Sequence, residues 1–235
     1  METKANASSP LLDSNLLKKI APYTINGYAR WRAIVDQDGA IPARIKGLYV
    51  AVAATTKRYP EMARRELARA HELGLTYEEA SSAAIILSSV RGEGAALSFI
   101  AMLEDEYGVQ AEDVPMPQMD VGGGQVEQNF LKYFGTMPPS LGKLLELLPL
   151  GGDAYYLMRE GTINGTPLGA KYSELMLVTV LAADYSQWAT VHMKGAKTAG
   201  ANATELAEAV VCAVLTSGLS AWVIAADAAG DVMSD

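Results

Sequence analysis

The sequence predicts an all-α protein, and three observations carry that prediction. Aromatic residues make up only 7% of the 235 residues, while Ala, Leu, Met and Glu abound, a mixture that favours helices packed through small side chains over strand-rich sheets. Paired helix start and stop signals punctuate the chain. Those signals recur at a fixed offset, so that residues of roughly 41 to 103 align without a gap on roughly 167 to 229 when the chain is shifted by 126. Half of the residues are hydrophobic, ample for a core in one large domain or two fused small ones.

The elements follow in order. Residues 1–40 are expected to form an N-terminal helical segment. A first repeat, 41–110, reads as an apolar helix from about Pro42 to Lys57 and a shorter one from about Pro60 to Leu73. A long third helix follows, from about Tyr77 to Tyr107. Residues 111–160 connect the repeats through the loop "VPMPQMDVGGG" and helical patterns in "QVEQNFLKYFG" and "SLGKLLELL". The triple glycine reads as a connector, because a phosphate-cradling loop needs a preceding strand and a Lys-Ser/Thr ending. A second repeat, 161–235, carries the corresponding helices from about Leu168 to Ala183, Ser186 to Ala199 and Ala203 to Ala229. Thr76 three residues before Glu79, and Asn202 three before Glu205, both read as N-cap plus acid directly after a glycine stop. Asp184 with Gln187 reads as a further cap, opening the second helix of the second repeat.

Composition narrows the function. The net charge of −8 and the lack of a dense Lys/Arg run argue against nucleic acid as a partner. The opening "METKANASSPLLDSN" has no basic segment followed by an apolar one, and "LMLVTVLAA" is too short to span a bilayer, so a cytoplasmic location without membrane association is expected. Cys212 alone allows no internal disulfide, no CxxC redox pair and no cysteine-rich metal site. Sequons at Asn6, Asn164 and Asn202 are chance matches without export.

The stretch "DYSQWATVHMKGAKTAG" holds one of only two histidines. On a helix, Tyr185, Trp188 and His192 share one face, which suits either the wall of a pocket with a proton-shuttling imidazole or a core histidine satisfied by a backbone carbonyl. Glu174, in "KYSELML", is an acid in an apolar run that is either held in a pocket or ion-paired at the surface with Lys171. At the offset of 126, Glu66 matches His192, Met62 matches Trp188 and Leu48 matches Glu174, so the first repeat has diverged, although Glu66 can still reach a pocket at the junction. His71, near a helix end in "ELARAHELG", reads as surface capping. For an anionic substrate, Arg159 in "YYLMREG" and Arg91 in "SVRGEGAAL" are the cations to consider; Arg91 needs an acceptor, whether Glu93, another helix end or a ligand.

Two copies of an apolar helix, a short helix ending "HMKGAKTAG" and a capped long helix "NATELAEAVVCAVLTSG", with the lead-in "REGTINGTPLGAKYSELMLVTVLAA", resemble the carboxymuconolactone decarboxylase and AhpD-like superfamily. The resemblance covers about residues 27–108 and 150–230 and implies the AhpD-like helical fold. Peroxidases of that superfamily open the second helix with Cys-x-x-Cys-x-x-x-His; here Tyr185 and Trp188 stand in the cysteine positions and His192 in that of the histidine. The resemblance therefore implies the decarboxylase branch, with no metal or organic cofactor and with a histidine acid/base at the place of His192. A glutamate that relays protons in the peroxidase branch makes Glu174 its partner by the same resemblance.

The expectation is a homo-oligomeric, cofactor-free lyase acting on a small, anionic carboxylate or lactone. His192 moves the proton, Glu174 sets its protonation, Tyr185 donates a hydrogen bond, Trp188 excludes water, and Arg159, Glu66 and Arg91 contribute to substrate binding. The competing expectations are a non-catalytic ligand-binding or assembly protein, or a cofactor-free isomerase or hydrolase, on the same fold.

Overall fold

A computed structural model describes residues 9–110 and 112–234, and among these every regular element is helical. The Asn6 sequon and the first eight residues of the N-terminal reading lie outside the described residues. The chain opens with α1 (Pro10–Asp13), α2 (Asn15–Ile20) and α3 (Pro22–Asp36). It continues with α4 (Ala43–Thr56), α5 (Pro60–Glu72), α6 (Tyr77–Arg91) and α7 (Glu93–Tyr107). After the Pro/Gly loop come α8 (Gln125–Phe134), α9 (Pro139–Leu147) and α10 (Pro149–Ile163). The last helices are α11 (Gly169–Ala183), α12 (Ala189–Thr198), α13 (Ala203–Ser217) and α14 (Leu219–Ala229).

The start of α6 and that of α13 show how local sequence sets helix boundaries. Thr76 accepts a hydrogen bond from the Glu79 amide while Glu79 accepts one from the Thr76 amide, and Asn202 with Glu205 makes the same reciprocal pair. Each box satisfies two amides that the first helical turn leaves without partners. The long third helices are each broken in two, however. Gly92 and Gly218 adopt φ of 75° and 76°, a left-handed conformation that favours glycine, and there the chain ends one helix and begins the next.

Helix α4 and helix α11 form the centre of the core, buried along almost their whole lengths, and α13 packs against both. Such helices carry apolar residues all round rather than on a stripe, as buried helices must. The Tyr49 hydroxyl on α4 donates to the Tyr172 carbonyl of α11 at 2.7 Å, and Thr179 of α11 donates to the Ala209 carbonyl of α13 at 2.8 Å. Lys46, fully buried on α4, reaches Glu208 of α13 at 3.1 Å and the Ile34 carbonyl at 2.7 Å. Glu208 in turn accepts from the amides of Ala40 and Ile41. A buried charge needs this degree of compensation.

Between the two central sets, Val126, Phe130 and Leu141 form a satellite core that seats α8 and α9. Helix α10 runs unbroken through residue 160, where sequence reading ends the connecting segment, and packs on both α9 and α11.

Candidate active site

His192, the fourth residue of α12, and Glu174, the sixth of α11, face each other across the α11–α12 contact. His192 Nδ1 lies 2.7 Å from Glu174 Oε2, and Tyr133 of α8 donates its hydroxyl proton to Oε1 at 2.8 Å. The Glu174 side chain is 2% exposed and that of His192 21%, so the carboxylate is interior and the imidazole stands at the edge. With both carboxylate oxygens accepting, Nδ1 carries the proton it donates; in the neutral ring Nε2 is then the lone-pair nitrogen. Nε2 makes no hydrogen bond among the described residues.

Two further residues hold the arrangement. The Arg159 guanidinium of α10 lies 3.5 Å from the centre of the Tyr133 ring, and its Nη1 donates to Asn129 and Glu160. Burial, reinforced by the charge of Glu174 and the hydrogen bond to it, pushes the Tyr133 hydroxyl well above the usual tyrosine range, with Arg159 opposing in part. Tyr133 therefore stays a proton donor throughout the neutral range. Gly195, one turn beyond His192, completes the packing: a Cβ there would lie 2.6 Å from Glu174 Cδ and 2.8 Å from the Tyr133 hydroxyl.

The remaining residues named from sequence fall elsewhere. Helix α12 starts at Ala189, not at 186, and neither Asp184 nor Gln187 caps it; Tyr185 instead adopts φ of 58° and Trp188 lies in the turn. The helical face expected for Tyr185, Trp188 and His192 is therefore not formed. Tyr185 donates to the Ser217 carbonyl at 2.6 Å, and Trp188 is 72% exposed, so it does not shield His192 from water. Glu66 is held by Arg32 and Arg65, each at 3.0 Å, and by Arg69 at 3.5 Å, an interior ion cluster within the first half. Arg91 pairs with Asp184 and donates to the Val180 carbonyl, so its acceptor is the end of α11 and not Glu93. Lys171 pairs with Glu205 at 2.8 Å and leaves Glu174 to His192. His71 contacts Glu106 at 2.8 Å in the last turn of α5, a surface position.

Sequence reasoning missed Tyr133 and Gly195. For Gly195 a signal existed, since glycine within a helix costs stability and commonly marks a close approach. Tyr133 offered none: its link to Glu174 spans 41 residues and depends on how α8 is seated.

The comparisons agree with this architecture. Residues 149–231, which contain α10 to α14 and so both Glu174 and His192, match the family model of the carboxymuconolactone decarboxylase family. The chain is also similar to the crystal structure of a candidate gamma-carboxymuconolactone decarboxylase subunit from Burkholderia xenovorans LB400. The TM-score is 0.64 over 94% of this chain and 91% of that one, at 21% identity, which establishes the shared fold. No curated protein matches the sequence. The segment from α10 to α14 is thus similar to the carboxymuconolactone decarboxylase family, and the chain as a whole shares its all-α fold with that crystal structure.

Proposed function

We propose that the protein is a cofactor-independent, decarboxylase-like lyase in which His192 transfers a proton on a small carboxylate or lactone metabolite. The observation that carries this reading is the His192–Glu174 contact, with the second carboxylate oxygen occupied by Tyr133. Glu174 fixes the tautomer and stabilises the imidazolium that forms when Nε2 takes a proton from carbon beside a carbonyl. The same nitrogen returns a proton to carbon after CO2 leaves an enolate. Tyr133 holds Glu174 in place, and Arg159 stacks behind Tyr133, so both are positioning residues.

Cys212 supports the choice of lyase over thiol peroxidase. It is fully buried, and burial pushes its thiol far above the ordinary value, which leaves no accessible thiolate to attack a peroxide. Self-association belongs to the same proposal: Tyr23, Trp188, Leu219 and Val223 are large apolar side chains left exposed on the protomer. No helix among the described residues is long and apolar enough to cross a membrane, and the location that belongs to this proposal is the cytoplasm.

The test is incubation of the protein with small β-keto acids and unsaturated lactone carboxylates in deuterated water, following CO2 release and deuterium uptake at carbon. Wild type is expected to catalyse at least one of the two and His192→Gln neither. Saturable binding with no turnover in wild type favours the non-catalytic, ligand-binding reading.

A further inference from the structure

A cleft of about 530 Å³ lies in the first half, where the end of α4 meets the starts of α5 and α7, and Thr55, Thr56, Arg58, Arg91, Gly94 and Ser98 border it. Its border contains two arginines and no carboxylate. Two buried polar atoms of that border, Thr56 Oγ1 and Arg91 Nε, have no hydrogen-bond partner among the described residues. A buried donor without an acceptor destabilises the fold, and the guanidinium Nε–H can only donate. The other nitrogens of Arg91 are engaged by the Val90 and Val180 carbonyls and by Asp184, which Lys57 also approaches at 3.9 Å. Arg58 is exposed and adopts φ of 61°, a left-handed conformation that a side chain with a Cβ occupies only at a cost. An exposed arginine beside the opening, with hydroxyls and an unanswered N–H on the residues that border it, is complementary to oxygen atoms that bear negative charge.

We infer that this cleft binds a small oxyanion, a carboxylate or a phosphate group, at a site separate from His192. Arg58 supplies charge from the rim, Arg91 Nε and Thr56 Oγ1 supply hydrogen bonds from the wall, and Ser98 supplies a further hydroxyl. The inference does not depend on the reaction proposed for His192. A Cβ at Gly94 would meet nothing within 4 Å, so a larger side chain fits there and takes up the room a ligand needs.

Calorimetric titration of the full chain at low ionic strength, with inorganic phosphate in one arm and succinate in the other, tests the site. Wild type is expected to bind at least one probe saturably with one equivalent per chain, and the arm that responds identifies the anion class. Arg58→Asn, which keeps a residue tolerant of the left-handed backbone, and Gly94→Leu are each expected to weaken binding about tenfold or more. His192→Gln is expected to bind as wild type does. The inference is overturned if neither probe binds, if either cleft variant binds within about twofold of wild type, or if His192→Gln abolishes binding.

Discussion

The two halves present corresponding helices at the same offset in the chain, yet put their buried polar groups to opposite uses. Leu48, Glu66 and Arg69 in α4 and α5 correspond in position to Glu174, His192 and Gly195 in α11 and α12. In the first half the carboxylate sits on the second helix and is clamped by Arg32, Arg65 and Arg69. Burial alone lowers the pKa of Arg32, but Glu66 and Asp36 together raise it above the ordinary arginine value, so the cation is permanent. In the second half the carboxylate sits on the first helix and faces an imidazole, the one side chain that changes charge readily near neutral pH. Permanent ion pairs bind the first half together, whereas the second holds a pair able to exchange a proton.

That contrast is open to attack, beginning with the largest effect. Glu66→Ala leaves Arg32, whose side chain is 3% exposed, without its interior partner and is expected to cost about 3–5 kcal/mol in urea unfolding. A cost below about 1 kcal/mol would show that the cluster is solvated and the halves less different than they look. His192→Gln is expected to leave the unfolding midpoint near that of wild type while lowering the rate on any accepted substrate by about a hundredfold or more. Equal loss of stability in that variant would make His192 a structural residue like Glu66.

Gly195→Ala sharpens the comparison from a different side, because the matching residue of the first half is Arg69 and needs no such clearance. The added methyl displaces the Glu174 carboxylate and the Tyr133 hydroxyl. The expected rate loss is about 10–100-fold, with stability changing by only about 1 kcal/mol, measured by steady-state kinetics beside thermal unfolding. Tyr133→Phe removes one hydrogen bond to Glu174 and should reduce the rate by about tenfold, leaving substrate affinity unchanged. A change confined to affinity would move Tyr133 from positioning Glu174 to contacting substrate.

The smallest expected effect concerns the seam between the halves. Burial raises the Tyr49 hydroxyl well above its ordinary value of 10.0, since it is enclosed where α4 meets α11. A phenol whose pKa is higher in the folded chain contributes stability that is complete below the unfolded value and is lost as pH climbs toward the folded one. Wild type should therefore lose roughly 1.4 kcal/mol per pH unit from this group above pH 10, and Tyr49→Phe should flatten that part of the urea-midpoint profile. An identical alkaline slope in both would remove Tyr49 from the account.

Much of this was legible in the chain, and unevenly so. The capping pairs at Thr76 and Asn202 and the glycines behind them placed four helix boundaries to within a residue or two, because each signal acts over a single turn. The same local logic failed at Asp184, where a plausible cap was drawn instead into pairing with Arg91 and Lys57 from distant helices. It also failed at Gly92 and Gly218, where a helix resumes at the residue directly after a left-handed glycine and the break leaves no loop to mark it. His192 and Glu174 were each visible as an oddity in its own segment, and resemblance to a family joined them. Tyr185 and Trp188 were misplaced because their face depended on a helix start three residues too early.

The helical class, the offset of 126 residues and most helix ends follow from the sequence alone, since propensity and spacing act within a few turns; His192 and Glu174 stand out there as single residues, and only the resemblance to a family pairs them. Only the tertiary structure decided which acid each base would meet: Glu174 for His192, Glu205 for Lys171, Asp184 for Arg91. Partners of that kind lie 18 to 93 residues apart along the chain, and the packing of α6, α11, α12 and α13 selects among them because desolvated charges accept only the neighbour within hydrogen-bond reach.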